Sequence, residues 1–192
     1  MAADKDDRQL VRAARSGDAR AFEELVRRHQ ARVYGLVRRM TSADDVAEEL
    51  TQDVFVRAYR GLEGFRERSA FSTWIYRIAV NRVRDYRESR ASRDREMETS
   101  LEAAIGSLPD PVARTPGPDD ALSETEIMGR FSAAVDALEA HLRDAFLLRH
   151  QENLQYDAIA EVLRISRPNA KVRVHRARER VLQTLRDAGY EV

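Results

Sequence analysis

The chain has 192 residues and a mass of 22.0 kDa, room for one medium domain or two small ones, and its 43% apolar content can fill cores for either. A charged fraction of 34%, a mean hydropathy of −0.59 and the lack of any apolar run near ~20 residues exclude a membrane-embedded chain. Cysteine is absent, which removes disulfides, thiolate metal sites and thiol catalysis, and 33 basic residues cancel 33 acidic ones, so only the distribution of charge is informative.

The first residues, Met1-Ala-Ala-Asp-Lys-Asp-Asp, are charged where a signal peptide needs an apolar stretch, which points to the cytoplasm. From Ala19 to Met40, the residues Phe22, Leu25, Val26, Val33, Leu36, Val37 and Met40 recur at spacings of three, four and seven, predicting an amphipathic helix. Thr41-Ser42-Ala43-Asp44 supplies caps for a second helix, whose early acids Asp44, Asp45, Glu48 and Glu49 suit the positive end of its dipole. Val46, Leu50, Val54 and Ala58 line one side of it, with Phe55 and Tyr59 beside them. Gly61 and Gly64 end that helix, and a polar loop from Glu63 to Ser69 leads to a third helix starting near Phe71. Phe71, Trp74, Ile75, Ile78, Ala79 and Tyr86 again repeat at helical spacing.

Between about Ser92 and Thr125 the pattern dissolves. Four of the five prolines lie there, acids outnumber bases, and the segment reads as an extended, solvated linker. Helical periodicity resumes from Ile127 to roughly Leu138, through Phe146, Leu147 and Leu148, from Tyr156 to Leu163, and from about Arg167 to Leu185. No alternating run argues for a strand. The predicted fold is all-α: a helical module over residues 1–91, an acidic proline-rich linker over 92–125, and a second helical module over 126–192.

The balanced charge is a sum of opposed patches. Between Arg164 and Arg180, seven basic residues stand against the single acid Glu179, a net of +6 and a footprint suited to a polyanion. Asp44, Asp45, Glu48, Glu49 and Asp53 form the opposite patch with no base among them. Tyr156-Asp-Ala-Ile-Ala-Glu-Val-Leu-Arg-Ile-Ser-Arg-Pro-Asn-Ala-Lys-Val-Arg-Val-His-Arg-Ala-Arg has the pattern of a helix-turn-helix. Ile159, Leu163 and Ile165 give the two helices a shared core, small Ala160 permits a close crossing, Ser166 caps the second helix, and Pro168 fits its first turn. Arg167, Asn169, Lys171, Arg173 and Arg176 then lie on a helix that fits a major groove, available to phosphates and base edges. Arg164 stands at the turn position where such motifs often carry glycine; the turn either takes a left-handed backbone at a non-glycine residue or differs in geometry.

The two modules together resemble the sigma-70 family of bacterial transcription initiation factors, in particular its small extracytoplasmic-function (ECF) group. The resemblance rests on Ala21-Phe-Glu-Glu-Leu-Val, Val46-Ala-Glu-Glu-Leu-Thr-Gln-Asp-Val-Phe-Val-Arg-Ala, Phe71-Ser-Thr-Trp-Ile-Tyr-Arg-Ile-Ala-Val-Asn-Arg-Val-Arg-Asp-Tyr, Tyr156-Asp-Ala-Ile-Ala and Lys171-Val-Arg-Val-His-Arg-Ala-Arg. It implies that Glu48, Glu49, Leu50, Gln52, Asp53 and Phe55 dock on the clamp helices of the largest subunit of core RNA polymerase, and that the beta flap is a further contact. An acidic rim would steer by charge, with Leu50 and Phe55 either anchoring the partner or facing the core.

The resemblance also implies that the helix from Phe71 to Arg90 and the loop before it open and read the promoter minus-ten element. Trp74, Tyr76, Arg77, Asn81, Arg84 and Arg87 supply the aromatics, amide and guanidinium groups that capture of an unpaired strand requires. Trp74 shares the apolar stripe with Ile75 and Ile78 and serves either as core or as stacking platform, whereas Arg77 and Asn81 lie on a more polar side. Asp85 is expected to pair with an arginine on the helix surface. The helix-turn-helix module would read the minus-thirty-five element, and an anti-sigma factor would hold the protein in check. Glu139, Arg164, Pro168 and Asn169 depart from the family's usual residues, which bears on promoter preference more than on the module's role.

No cofactor is expected and no enzyme constellation appears: His29, His141, His150 and His175 lack metal-type spacing and there is no phosphate-binding glycine loop. Two other classes fit the residues less fully: an autonomous helix-turn-helix regulator with an N-terminal dimerisation or ligand module, and an adaptor whose functional surface is the acidic helix.

Overall fold

The computed structural model describes residues 2–41, 44–101 and 124–190, and among these the secondary structure is helical, with no strand. The N-terminal module holds α1 (Ala2–Arg15), α2 (Ala19–Thr41), α3 (Asp44–Gly61), a short 3-10 turn (Leu62–Gly64) and α4 (Phe71–Leu101). The C-terminal module holds α5 (Glu124–Asp136), α6 (Ala140–His150), α7 (Tyr156–Leu163) and α8 (Arg167–Asp187).

In the first module α2 packs against α1, α3 and α4, because the stripe Leu25, Val33, Leu36, Val37 and Met40 is buried against Leu50, Val54 and Ala58 of α3 and Ile75, Ala79 and Val83 of α4. In the second, α8 is the spine on which α5, α6 and α7 rest, through Ala170, Val174, Ala177, Val181 and Leu185. The modules also touch each other, α2 against α6 and α4 against α7.

Two features depart from the sequence expectation. The charged N-terminus forms α1, seated by Val11 and by buried Asp7, whose Oδ2 lies 2.8 Å from His29 Nε2 and whose Oδ1 lies 3.4 Å from Arg28 Nη1. And α4 runs on to Leu101, so the first ten residues assigned to the linker continue a helix whose apolar stripe has ended. Residues 102–123 of the linker and the capping residues Ser42 and Ala43 lie outside the described residues, and the last two linker residues, 124 and 125, begin α5.

Candidate nucleic-acid interface

The helix-turn-helix has the geometry its sequence requires. Ser166 caps α8, its Oγ accepting from the Asn169 amide at 3.4 Å, and Pro168 occupies the first turn, where no intrahelical amide bond is lost. Arg164 takes the left-handed conformation (φ 55°, ψ 48°) as the C-cap of α7, so the turn is made at a non-glycine residue. Ile159 and Leu163 are buried, with Ile165 packed partly against them.

Arg167, Asn169, Lys171 and Arg176 are exposed and Arg173 is half-buried, over the buried face Ala170, Val174 and Ala177. Asn169 Oδ1 accepts from Arg173 Nε at 3.1 Å, one turn away, and Arg167 Nε lies 2.9 Å from Asp157 Oδ1. The first pairing holds two side chains as one polar unit on the front of α8. Val172, 45% exposed, adds an apolar group to that front, which the charge pattern alone does not reveal.

On α3, Glu48, Glu49 and Gln52 are exposed, as an acidic docking face requires. Leu50 (1%) and Phe55 (8%) are not part of that face: helix phase turns both into the core, so neither can anchor a partner from the surface. The exposed apolar side chains there are Val56 and Tyr59, the latter resting edge-on against Phe22 at 5.0 Å between ring centres. Asp53 is half-buried, bonded to Arg82 Nε and, at 3.0 Å, to Arg57 Nε. Burial pushes its carboxyl up, but the hydrogen bonds from Arg82 and Arg57 prevail and hold it below the ordinary aspartate range.

The loop and α4 bring together a mixed aromatic and basic site. Trp74 is buried with its ring 4.8 Å from Phe65 and 5.7 Å from Phe71, which settles its place as core in this arrangement. Beside it Phe65, Arg66, Arg68, Ser69 and Arg77 line a cavity of about 190 Å³. The loop is held by α1: Arg12 Nη2 lies 3.2 Å from Glu67 Oε2, and Glu67 itself is left-handed (φ 52°). Asn81 is half-buried and Arg84 is exposed. Asp85 is exposed but forms no ion pair among the described residues, contrary to expectation.

Three of the α4 residues meet the other module. Tyr76 is buried, not exposed as strand capture would need, and its Oη donates to Glu152 Oε2; burial and then the Glu152 carboxylate raise its pKa well above the ordinary phenol value. Arg77 Nη1 lies 3.6 Å from Glu161 Oε1. Arg87 Nη1 is 3.1 and 3.2 Å from the two carboxylate oxygens of buried Asp144, and its Nη2 donates to Met40 O at 2.6 Å. Burial raises the Asp144 carboxyl above the aspartate range despite the opposing pull of Arg87.

This arrangement has counterparts among known proteins. Residues 25–93 match the family model for Sigma-70 region 2, and residues 128–181 match that for Sigma-70, region 4. The RNA polymerase sigma-H factor of Pseudomonas aeruginosa is 33% identical over 186 residues, covering 96% of both chains. The chain belongs to the sigma-70 family. Within it, the ECF RNA polymerase sigma-E factor of Escherichia coli (strain K12) is 32% identical over 176 residues, covering 91% of this chain and 92% of that one. Among solved structures, CnrH in complex with the cytosolic domain of CnrY is similar with a TM-score of 0.69 and 26% identity, over 95% of this chain and 98% of that chain. This sigma factor is thus of the ECF type, and sigma factors act as promoter-selecting subunits of RNA polymerase. No helix among the described residues is long and apolar enough to cross a membrane.

Proposed function

We propose that this sigma factor divides promoter recognition among three faces. Glu48, Glu49 and Gln52, with Val56 and Tyr59, dock on core polymerase; the α4 face with Arg77, Asn81, Arg84 and Arg87 receives the opened minus-ten strand; and the front of α8, carrying Arg167, Asn169, Lys171, Arg173 and Arg176, enters the major groove of the minus-thirty-five duplex. The observation that carries the reading is the segregation of charge: acids on the exposed side of α3, and a run of exposed bases on a capped recognition helix in the other module. The first attracts the polymerase and repels DNA; the second does the reverse.

In this reading the chain makes and breaks no covalent bond. Duplex contacts fix register, the polymerase surface orients both modules, and bases captured along α4 offset the cost of unpairing. The protein works in the cytoplasm, where its polymerase is, and an anti-sigma partner restrains it. Supporting that last step, CnrH, its structural relative, is solved with the cytosolic domain of CnrY bound. Incubating the purified chain with core polymerase and a promoter library, then mapping transcript starts, tests the proposal. Starts that share two spaced elements support it; operator binding without polymerase dependence would instead favour an autonomous regulator.

A further inference from the structure

The loop between the 3-10 turn and α4, residues 65–70, carries two arginines, Arg66 and Arg68, on either side of its one acid, Glu67. Both arginines are exposed and line the cavity beside Phe65, Trp74 and Arg77. Glu67 does not line it: its side chain is 20% exposed and reaches the other way, to α1. The backbone makes this reversal at Glu67 itself, whose φ of 52° is a left-handed conformation that an L side chain keeps only where its surroundings hold it. Arg12 presents the edge of its guanidinium to the Glu67 carboxylate, with Nε 3.4 Å from Oε1 and Nη2 3.2 Å from Oε2. Arg15 Nη1 stands 4.0 Å from the same Oε1 and donates to Phe65 O at 3.5 Å. Helix α1 is a fixed arm for both arginines, because Val11 is fully buried and Asp7 is bonded to His29 and Arg28 of α2.

We infer that Arg12, with Arg15 behind it, is a positioning residue for promoter recognition: by drawing Glu67 onto α1 it neutralises the one acid of the loop and leaves Arg66 and Arg68 to the minus-ten strand. This rests on the assignment of the loop and α4 to that strand. A released Glu67, flanked by two arginines, would pair with them in place of phosphate and would repel the strand. The two-point geometry and the second guanidinium set the contact apart from an ordinary surface pair. With the Arg12 side chain 70% exposed it still adds little to the stability of the fold. Its consequence is where the charges of the loop lie, and it makes a helix remote in sequence part of the reading of the strand.

The test uses holoenzyme reconstituted from the full chain and core polymerase. The probe is a fluorescein-labelled promoter fragment, taken from the start sites mapped with wild type, whose minus-ten non-template strand is left unpaired. Wild type, Arg12→Ala, Glu67→Gly and the double variant are compared by anisotropy titration. Glycine takes a positive φ without strain, so Glu67→Gly removes the acid and keeps the turn. Arg12→Ala is expected to bind the fragment about fivefold more weakly than wild type, with core-polymerase affinity and thermal unfolding of the free chain unchanged. In the Glu67→Gly background the same substitution is expected to change fragment affinity by less than about twofold, because Arg12 then has no acid to hold. An equal loss in both backgrounds would make Arg12 a direct DNA contact and overturn the positioning role. A loss accompanied by a lowered unfolding temperature would assign Arg12 to the fold and overturn it too. A wild-type chain that directs no promoter-specific start removes the sigma assignment of the loop and this inference with it, whereas defined starts with an unchanged affinity for Arg12→Ala remove the positioning role alone.

Discussion

Arg87 and Asp144 are bound across the two modules, with Arg87 Nη1 3.1 Å from one carboxylate oxygen and 3.2 Å from the other, while Nη2 of the same guanidinium donates to Met40 O. One side chain of α4 thereby ties the end of α2 to α6. Asp144 is 6% exposed, so its charge depends on this partner. Arg87→Ala is expected to destabilise the folded chain by about 3 kcal/mol in urea denaturation, because it leaves a buried carboxyl without its cation. A loss below about 0.5 kcal/mol would show that the pair carries no structural weight.

Asp144 also sets a pH dependence. Its folded-state pKa is raised above the ordinary 3.8, so the folded protein holds this proton more tightly than the unfolded chain does. Stability from this group is greatest below that ordinary value and declines as pH rises through the raised one. Asp144→Asn cannot titrate. The stability of wild type relative to this variant should therefore fall from pH 3.8 upward and then level off; a relative stability that climbs with pH would contradict the assignment.

Arg164 carries the left-handed turn of the helix-turn-helix. A side chain in that conformation costs roughly 1 kcal/mol relative to glycine. Arg164→Gly should accordingly raise stability by about 0.5–1 kcal/mol, while Ser166→Ala, which removes the α8 cap, should lower it by about 1 kcal/mol. Thermal melts of the two variants shifting in the same direction would refute this account of the turn.

Arg173 and Asn81 test the division of DNA contacts. Arg173→Ala, which also frees Asn169, should weaken minus-thirty-five duplex binding about tenfold and reduce its salt slope by roughly one, with polymerase affinity nearly intact. Asn81→Ala should reduce permanganate reactivity of unpaired thymines in the open complex more than it reduces polymerase binding. Loss of polymerase affinity in either variant would contradict the separation of faces.

On α3, Glu48→Lys combined with Glu49→Lys should slow association with core polymerase about tenfold at low salt, and the difference should shrink as salt rises. Val56→Ser should act instead on dissociation, since an exposed apolar contact contributes to residence rather than to steering.

The sequence made the C-terminal module readable because its signals are local. Ser166, Pro168 and the spacing of Ile159, Leu163 and Ile165 fix the two helices within a few residues, and the structure agrees with them. Helix α1 was not legible: seven of its fourteen residues are charged, and it is seated by Asp7 on His29 and Arg28, a pairing that no periodicity encodes. Which of the two places open to Leu50 and Phe55 on α3 is taken is a matter of phase. Leu50 and Phe55 lie on the core side, whereas Val56 and Tyr59, one and four positions after Phe55, turn outward. The contact of Glu152 and Glu161 with Tyr76 and Arg77 joins residues more than seventy positions apart, where charge counts along the chain show only two separate patches.

The most direct test of the central claim is binding of the purified, full-length chain to core RNA polymerase at low salt, coupled to run-off transcription from a promoter library. The account predicts a stable complex and transcripts with defined starts preceded by two spaced elements. A chain that, free of any inhibitor, shows no affinity for core polymerase and yields no defined start would contradict it.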